Sequence, residues 1–367
     1  MKILALPNAF KGSLSAQKAG QVFVRALAKR HTVRVYPLSD GGDGFLDFFK
    51  ALDPHAKTIF TNAKNAFLKT RRAPFLLLSD GKTAVVETAK ICGLGTARPG
   101  ELDPMGASSY GVGQVLAAAV KRGATTLYVG LGGVACNDGG AGLAAACGAR
   151  LLDKYAREIP PGAKGLQRLA QIDLTPLQKR FKNIKIIAVT DVTNPLLGPM
   201  GSARVFGPQK GASARQVLLL ERALTRWANV LKQTTGADVR RLPGAGAAGA
   251  MAAGLYGCLR TQLTLGTDFL FQKARLDKQI RQADLIITTE GKLDAQTFYG
   301  KAPGAVLRLA HHYQKPVLFI CGQLDPQALR RAAWRPDVLA VLTDFAADTD
   351  DSKKYAALYL RRICQAL

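Results

Sequence analysis

The feature that most constrains this chain is an alternation. Short apolar runs end abruptly in loops rich in glycine and aspartate, and segments of helical character lie between them. Lys2–Leu6 stops at Pro7. Thr32–Tyr36 alternates valine with polar residues and stops at Pro37. Leu127–Gly130, Ile184–Thr190, Leu285–Thr288 and Val317–Ile320 are compact and mostly apolar. Runs of this kind match strands buried on both faces of a parallel sheet, although a short apolar run by itself also fits a helix. Ser15 is placed to cap a helix that runs through Val22 and Leu27 to Arg30. Strands alternating with helices point to an α/β architecture with a doubly wound parallel, Rossmann-like sheet.

A length of 367 residues allows two or three domains. With 48% hydrophobic and 21% charged residues the chain has ordinary globular composition, which excludes disordered, collagenous and disulfide-scaffold classes. Two stretches break the alternation. Residues 57–90 hold short β-like pieces, with Asp80-Gly81 between Phe75–Leu78 and Thr83–Glu87, a hairpin signal. Residues 195–270 are rich in glycine and alanine. The reading is a discontinuous α/β domain, 1–56 plus 275–367, with a second α/β domain, 57–274, inserted into it; 105–195 fits either. The N-terminal strands and the final three apolar runs are then expected in one sheet.

The net charge of +25 invites a nucleic-acid partner. The excess is spread thinly, however: residues 101–150 hold three basic and three acidic side chains, and no run of five like charges occurs. A diffuse basic surface attracts anions without specifying a nucleic acid. Cys92, Cys136, Cys147, Cys258, Cys321 and Cys364 show neither CxxC nor zinc spacing, so free thiols in a reducing cytoplasm are expected. No apolar run approaches a membrane span, and the start of the chain lacks a signal-peptide pattern. Composition says nothing about oligomeric state.

The strand-end loops carry the candidate chemistry, because ligands of open α/β sheets bind beyond the C-terminal ends of strands. Of only 26 acids, six fall in these loops: Asp40, Asp43, Asp138, Asp191, Glu290 and Asp294. Glycines beside them let backbone N–H groups approach phosphate, carboxylates hold Mg²⁺, and Lys11, Lys210 and Lys292 neutralise phosphate oxygens. That is the inventory of phosphoryl transfer. Each loop also reads as an ordinary turn or helix cap; five such loops at five strand ends favour the functional reading. Gly81-Lys82-Thr83 lacks the rest of a phosphate-binding P-loop. Gly244-Ala-Gly246-Ala-Ala-Gly249 matches a dinucleotide fingerprint but follows a poor strand, which leaves an NAD-dependent oxidoreductase as the weaker alternative. His31, His55, His311 and His312 lie outside these loops, against His-dependent nucleophilic catalysis.

Taken together, the loops resemble bacterial glycerate kinases of the type that includes glycerate 2-kinases. The matching segments are Asn8–Ala16, Asp40–Gly44, Asp80–Ala84, Ser109–Gly113, Gly132–Gly140, Asp191–Gly198, Phe206–Gly211, Leu242–Gly249, Thr289–Asp294 and Gly300–Pro303, in family order over nearly the whole chain. The resemblance implies ATP- and Mg²⁺-dependent phosphorylation of D-glycerate to 2-phosphoglycerate, with a 3-phosphate product left open, in a cleft between two α/β domains. With the strand-end placement it implies roles. Lys11 and Asp191 are catalytic, Asp191 as the base. Asn8, Ser13, Lys210 and Asn194 bind substrate. Gly132, Gly133, Asn137, Gly139, Gly140 and Lys292 hold phosphates. Asp40, Glu290, Asp138 and Asp294 hold the metal. The chain departs from the family pattern at Asn8-Ala9, where Asp-Ser is usual, at Asp43 for Glu, and at Val134 and Cys136, where two hydroxyl residues are usual. These departures favour another small hydroxy acid as an alternative substrate. No specific nucleic acid and no membrane partner is implied.

Overall fold

The structure, a computed structural model, describes all residues except Asp40, Pro99, Tyr299 and Gly300. It divides into two compact units: Met1–Asp40, Asp47–Pro54 and Gly266–Leu367 form one, and Gly41–Leu46 and His55–Leu265 the other. Among the described residues no helix is long and apolar enough to cross a membrane.

The strands in chain order are β1 (Lys2–Pro7), β2 (Thr32–Val35), β3 (Lys57–Lys64), β4 (Thr70–Leu77), β5 (Thr83–Glu87), β6 (Thr126–Leu131), β7 (Arg150–Leu152), β8 (Gln171–Asp173), β9 (Lys185–Thr190), β10 (Gln262–Leu265), β11 (Leu285–Leu293), β12 (Val317–Leu324) and β13 (Val338–Val341). The first unit holds a parallel sheet in the order β13-β12-β11-β1-β2. Its core joins Ile3, Ala5, Ile287, Leu318 and Ile320 of the strands to Phe23 and Leu27 of the helix Ala16–Leu27 and to Tyr359 and Leu360. Ser15 caps that helix by accepting from the Lys18 N–H, and the helix ends at Leu27, one turn before the expected Arg30. Counted within the unit, the strand order reverses between β1 and β11, so the loops that leave these neighbours turn away from each other. That reversal is where doubly wound sheets take ligands.

The second unit holds a mixed sheet in the order β10-β9-β6-β5-β4-β3 and a small β7-β8 pair. The Asp80-Gly81 hairpin forms as its chemistry dictates: Asp80 accepts from the N–H groups of Lys82 and Thr83 at 2.8 and 2.7 Å and from the Thr83 hydroxyl at 2.6 Å, and β4 pairs antiparallel with β5. Ile184–Thr190 does not join the sheet of the first unit. As β9 it lies parallel to β6, with Thr190 beside Leu131, in the core that Val86, Leu127, Val129 and Ala188 share with Trp227 and Leu231 of the helix Ala214–Thr235. Its loop therefore emerges next to the loop that follows β6.

Candidate active site

In the first unit, β1 and β11 run in parallel register with Pro7 beside Thr289, so the Asn8–Ser13 loop leaves the sheet next to Glu290, which still lies within β11. The Asn8 N–H donates to the Thr289 carbonyl at 3.2 Å, and the Thr289 hydroxyl returns a bond to the Asn8 carbonyl at 2.6 Å. Asn8 Oδ1 accepts from the Ala9 N–H at 2.9 Å. Lys11 is exposed. It lies against Gly291: a Cβ there would be 2.9 Å from the Lys11 backbone nitrogen. Ser13, expected on the substrate, is exposed, but its hydroxyl donates to the Lys353 carbonyl.

Glu290 is buried. Its Oε2 accepts from the Thr297 hydroxyl at 2.7 Å and its Oε1 faces Lys301 Nζ at 3.3 Å. Burial raises its carboxyl above the ordinary range, while the bonds from Thr297 and Lys301 pull the other way. Asp294 is half-buried and accepts from the Gln296 N–H; Lys292 is exposed on the same strand end. Asp40 lies outside the described residues. Among the described residues no three His, Cys, Asp or Glu side chains cluster as a metal cage. Mg²⁺ commonly takes one or two carboxylates and completes its shell with phosphate and water oxygens, so the Glu290 and Asp294 oxygens fit it.

In the second unit, the loops after β5, β6 and β9 leave one sheet edge side by side. Asp191, exposed, follows β9. Asn194 staples its own loop: its Nδ2 donates to the Met200 carbonyl at 2.8 Å and its carbonyl accepts from Gly246. Gly133 is exposed at the turn after β6, where a Cβ would stand 3.7 Å from Asp43 Oδ1.

The rest of that loop is spent on the fold. Asp138, expected as a metal ligand, is fully buried and receives five donors. The Ser108 and Ser109 hydroxyls and the N–H groups of Ser109 and Gly142 reach Oδ2 at 2.7–3.2 Å, and the Gly140 N–H reaches Oδ1 at 3.2 Å. These bonds saturate the carboxylate and tie the loop to the start of the helix Ala141–Cys147. Gly139 and Gly140, expected to present N–H groups to phosphate, commit them to the Gly249 carbonyl and to Asp138. The Gly132 N–H faces the Thr88 hydroxyl at 3.4 Å. Asn137 donates to the Pro104 carbonyl at 3.3 Å, and its buried Oδ1 has no partner among the described residues. Lys210, expected on the substrate, is 3% exposed, and its ammonium donates to the Cys136 carbonyl at 2.8 Å. Burial lowers its pKa from the usual lysine value.

Sequence reasoning passed over Thr88, whose hydroxyl bonds the Gly130 carbonyl at 2.8 Å, Glu87, buried at the end of β5, and Trp227, whose indole N–H holds the Gly139 carbonyl at 2.9 Å. Glu87-Thr88 at the end of a strand after a hairpin was the available signal; for Trp227 there was none. The dinucleotide reading of Gly244–Gly249 fails on context. Among the described residues no strand leads into it, and its glycines enter the helix Ala247–Leu259 instead.

Comparison with known proteins identifies the family. A family model described as the glycerate kinase family matches residues 3–367. A glycerate kinase of Bacillus subtilis (strain 168) is 36% identical over 99% of this chain and 95% of its own length. A glycerate 2-kinase of Escherichia coli (strain K12) is 37% identical over 88% of this chain and 86% of its own. A crystal structure from Salmonella typhimurium LT2, whose protein carries the provisional name glycerate kinase 2, superposes with a TM-score of 0.83 at 34% identity, covering 100% of this chain and 96% of that one. Matched by this family model over residues 3–367 and by relatives at 36–37% identity over most of its length, the chain belongs to the glycerate kinase family.

Proposed function

We propose that this chain is an ATP-dependent kinase that transfers a phosphoryl group to D-glycerate, with 2-phosphoglycerate as the expected product. The observation that carries this reading is the strand-order reversal between β1 and β11. It sets an exposed cation, Lys11, and two oxygen-donor acids, Glu290 and Asp294, at one sheet edge. Glycerate is a small anion with two hydroxyls. Lys11 holds its carboxylate by charge, and Asn8 offers its amide to a hydroxyl. Asp191 accepts the proton of the attacking hydroxyl, a role that requires hydrogen-bond reach to that proton. The Gly133 N–H and Lys292 meet phosphate oxygens. Glu290 and Asp294 hold Mg²⁺, which, when bound, neutralises charge on the nucleotide phosphates. Cytoplasmic action on small molecules fits this reading.

Another small hydroxy acid as substrate rests mainly on Asn8 and Ala9. Val134 and Cys136 carry less weight than their sequence suggests, because both are buried in the core of the second unit, 2% and 0% exposed.

The test is incubation with ATP, Mg²⁺ and D-glycerate, coupled to enolase, which reads the 2-phosphate directly. Signal with enolase alone supports the 2-phosphate. Signal only after phosphoglycerate mutase is added identifies the 3-phosphate. No signal in either arm, with turnover of another hydroxy acid in a direct ADP assay, replaces glycerate as the substrate.

A further inference from the structure

Lys210 poses a problem that the proposed chemistry does not absorb. A buried ammonium is costly unless it is paired with an anion and fully hydrogen-bonded. This one has a carbonyl, that of Cys136, as its hydrogen-bond acceptor among the described residues. The surroundings are unusual too. Ala248, Gly249 and Ala250 are consecutive residues with φ of 51°, 64° and 65°. A left-handed conformation costs a non-glycine residue roughly 1–2 kcal/mol, so a run that includes two alanines persists only where the surroundings hold it.

Those surroundings are the loop after β6. The Gly249 carbonyl accepts from the Gly139 N–H at 3.1 Å, and a Cβ on Gly249 would stand 1.9 Å from the Cys136 carbonyl oxygen and 2.9 Å from Lys210 Nζ. The left-handed run thus brings bare backbone against the loop, and Lys210 closes the same junction from the turn Pro208–Lys210. On its other side the loop is held by Trp227 at the Gly139 carbonyl.

We infer that Lys210 is a positioning residue: its ammonium pins the Cys136 carbonyl against the left-handed run Ala248–Ala250 and so fixes the path of the Gly132–Gly140 loop, without touching glycerate. The catalytic consequence rests on the kinase reading, because it is Gly133 of this loop that meets phosphate. The pin itself does not depend on that reading.

The experiment compares Lys210→Met with Lys210→Gln. Methionine matches the apolar stem and removes a buried charge, a change that proteins often tolerate; glutamine retains an N–H donor. Steady-state kinetics for both substrates is combined with amide hydrogen exchange. In Lys210→Met, exchange in peptides covering 132–140 and 247–251 is expected to accelerate at least tenfold, while β1 and β11 peptides are unchanged. The KM for ATP is expected to rise, or kcat to fall, about tenfold, with the KM for glycerate within twofold of wild type. Lys210→Gln is expected to recover part of both effects. A tenfold rise in the glycerate KM with unchanged loop exchange overturns the inference in favour of direct substrate contact. Unchanged exchange and kinetics overturn it outright, as does identical behaviour of the two variants. If Lys210→Met does not fold, Lys210→Gln against wild type carries the same comparison. A wild type that turns over no glycerate fails the kinase reading, while the exchange arm still tests the pin.

Discussion

Asp138→Ala separates two readings of one residue, a metal ligand and a structural clamp. The wild-type carboxylate serves the backbone N–H groups of Ser109, Gly140 and Gly142 and two serine hydroxyls, all in a fully buried setting. Alanine leaves three buried N–H groups without their acceptor, at about 1–3 kcal/mol each before relaxation. Against this stands the removal of a buried acid. Burial raises the Asp138 pKa, and the bonds from Ser109, Gly142 and Gly140 offset only part of that rise. The balance is a destabilisation of about 4 kcal/mol, at the upper end of single substitutions. For a unit of 150–250 residues that is about 8–16 °C in Tm.

The chain has two tryptophans, and Trp227 donates its indole N–H to Gly139, next to the substitution. Urea unfolding followed by Trp227 fluorescence in a Trp334→Phe background therefore reports on the second unit alone. The sign with pH is fixed as well. A carboxyl raised in the folded state binds its proton more tightly there than in the unfolded chain, so wild-type stability falls as pH rises from about 3.8 through the folded value. The deficit of Asp138→Ala is accordingly largest at low pH and narrows as pH rises. A variant with the wild-type midpoint and an altered Mg²⁺ requirement would refute the clamp and restore the metal role.

Asp191→Asn is expected to lower kcat by 10²–10⁴-fold, as loss of a general base does, with the KM for ATP little changed; near-normal turnover in the enolase-coupled assay removes it as the base. Glu290→Gln is expected to raise the Mg²⁺ concentration for half-maximal rate, and a metal titration that superposes on wild type would assign the metal elsewhere. Ala248→Gly relieves a left-handed alanine at φ 51° and is expected to stabilise by about 1 kcal/mol, read as the urea midpoint. All six cysteines are free and buried, with the thiols of Cys147, Cys258, Cys321 and Cys364 pushed up to about 12 mainly by burial, so a thiol reagent at pH 8 is expected to label the native protein slowly and the urea-unfolded protein at six sites.

The fold class was legible because a strand buried on both faces must be apolar along its whole length and must end where the chain turns polar. That rule marks β1, β6, β9, β11 and β12 from composition alone. It cannot say which sheet a strand joins: Ile184–Thr190 has the same character as Leu285–Thr288, and only the pairing of Thr190 with Leu131 places it beside β6. The short apolar runs Phe75–Leu78 and Thr83–Glu87 with Asp80-Gly81 between them are local information, so this hairpin was readable from the sequence.

The strand-end loops were legible as a set because acids, glycines and lysines are written in the chain. What each side chain does there was not. Asp138 and Asp191 read alike as aspartates after a strand, yet one is enclosed by Ser108, Ser109, Gly140 and Gly142 and the other is exposed. Lys11 and Lys210 read alike as loop lysines, yet one is open and the other buried against a carbonyl. The sequence by itself determined the α/β architecture and the loop inventory, since both follow from local polarity and turn chemistry. Only the tertiary structure decided which of those groups remain free to meet a ligand, because burial and hydrogen-bond saturation depend on residues far away in the chain.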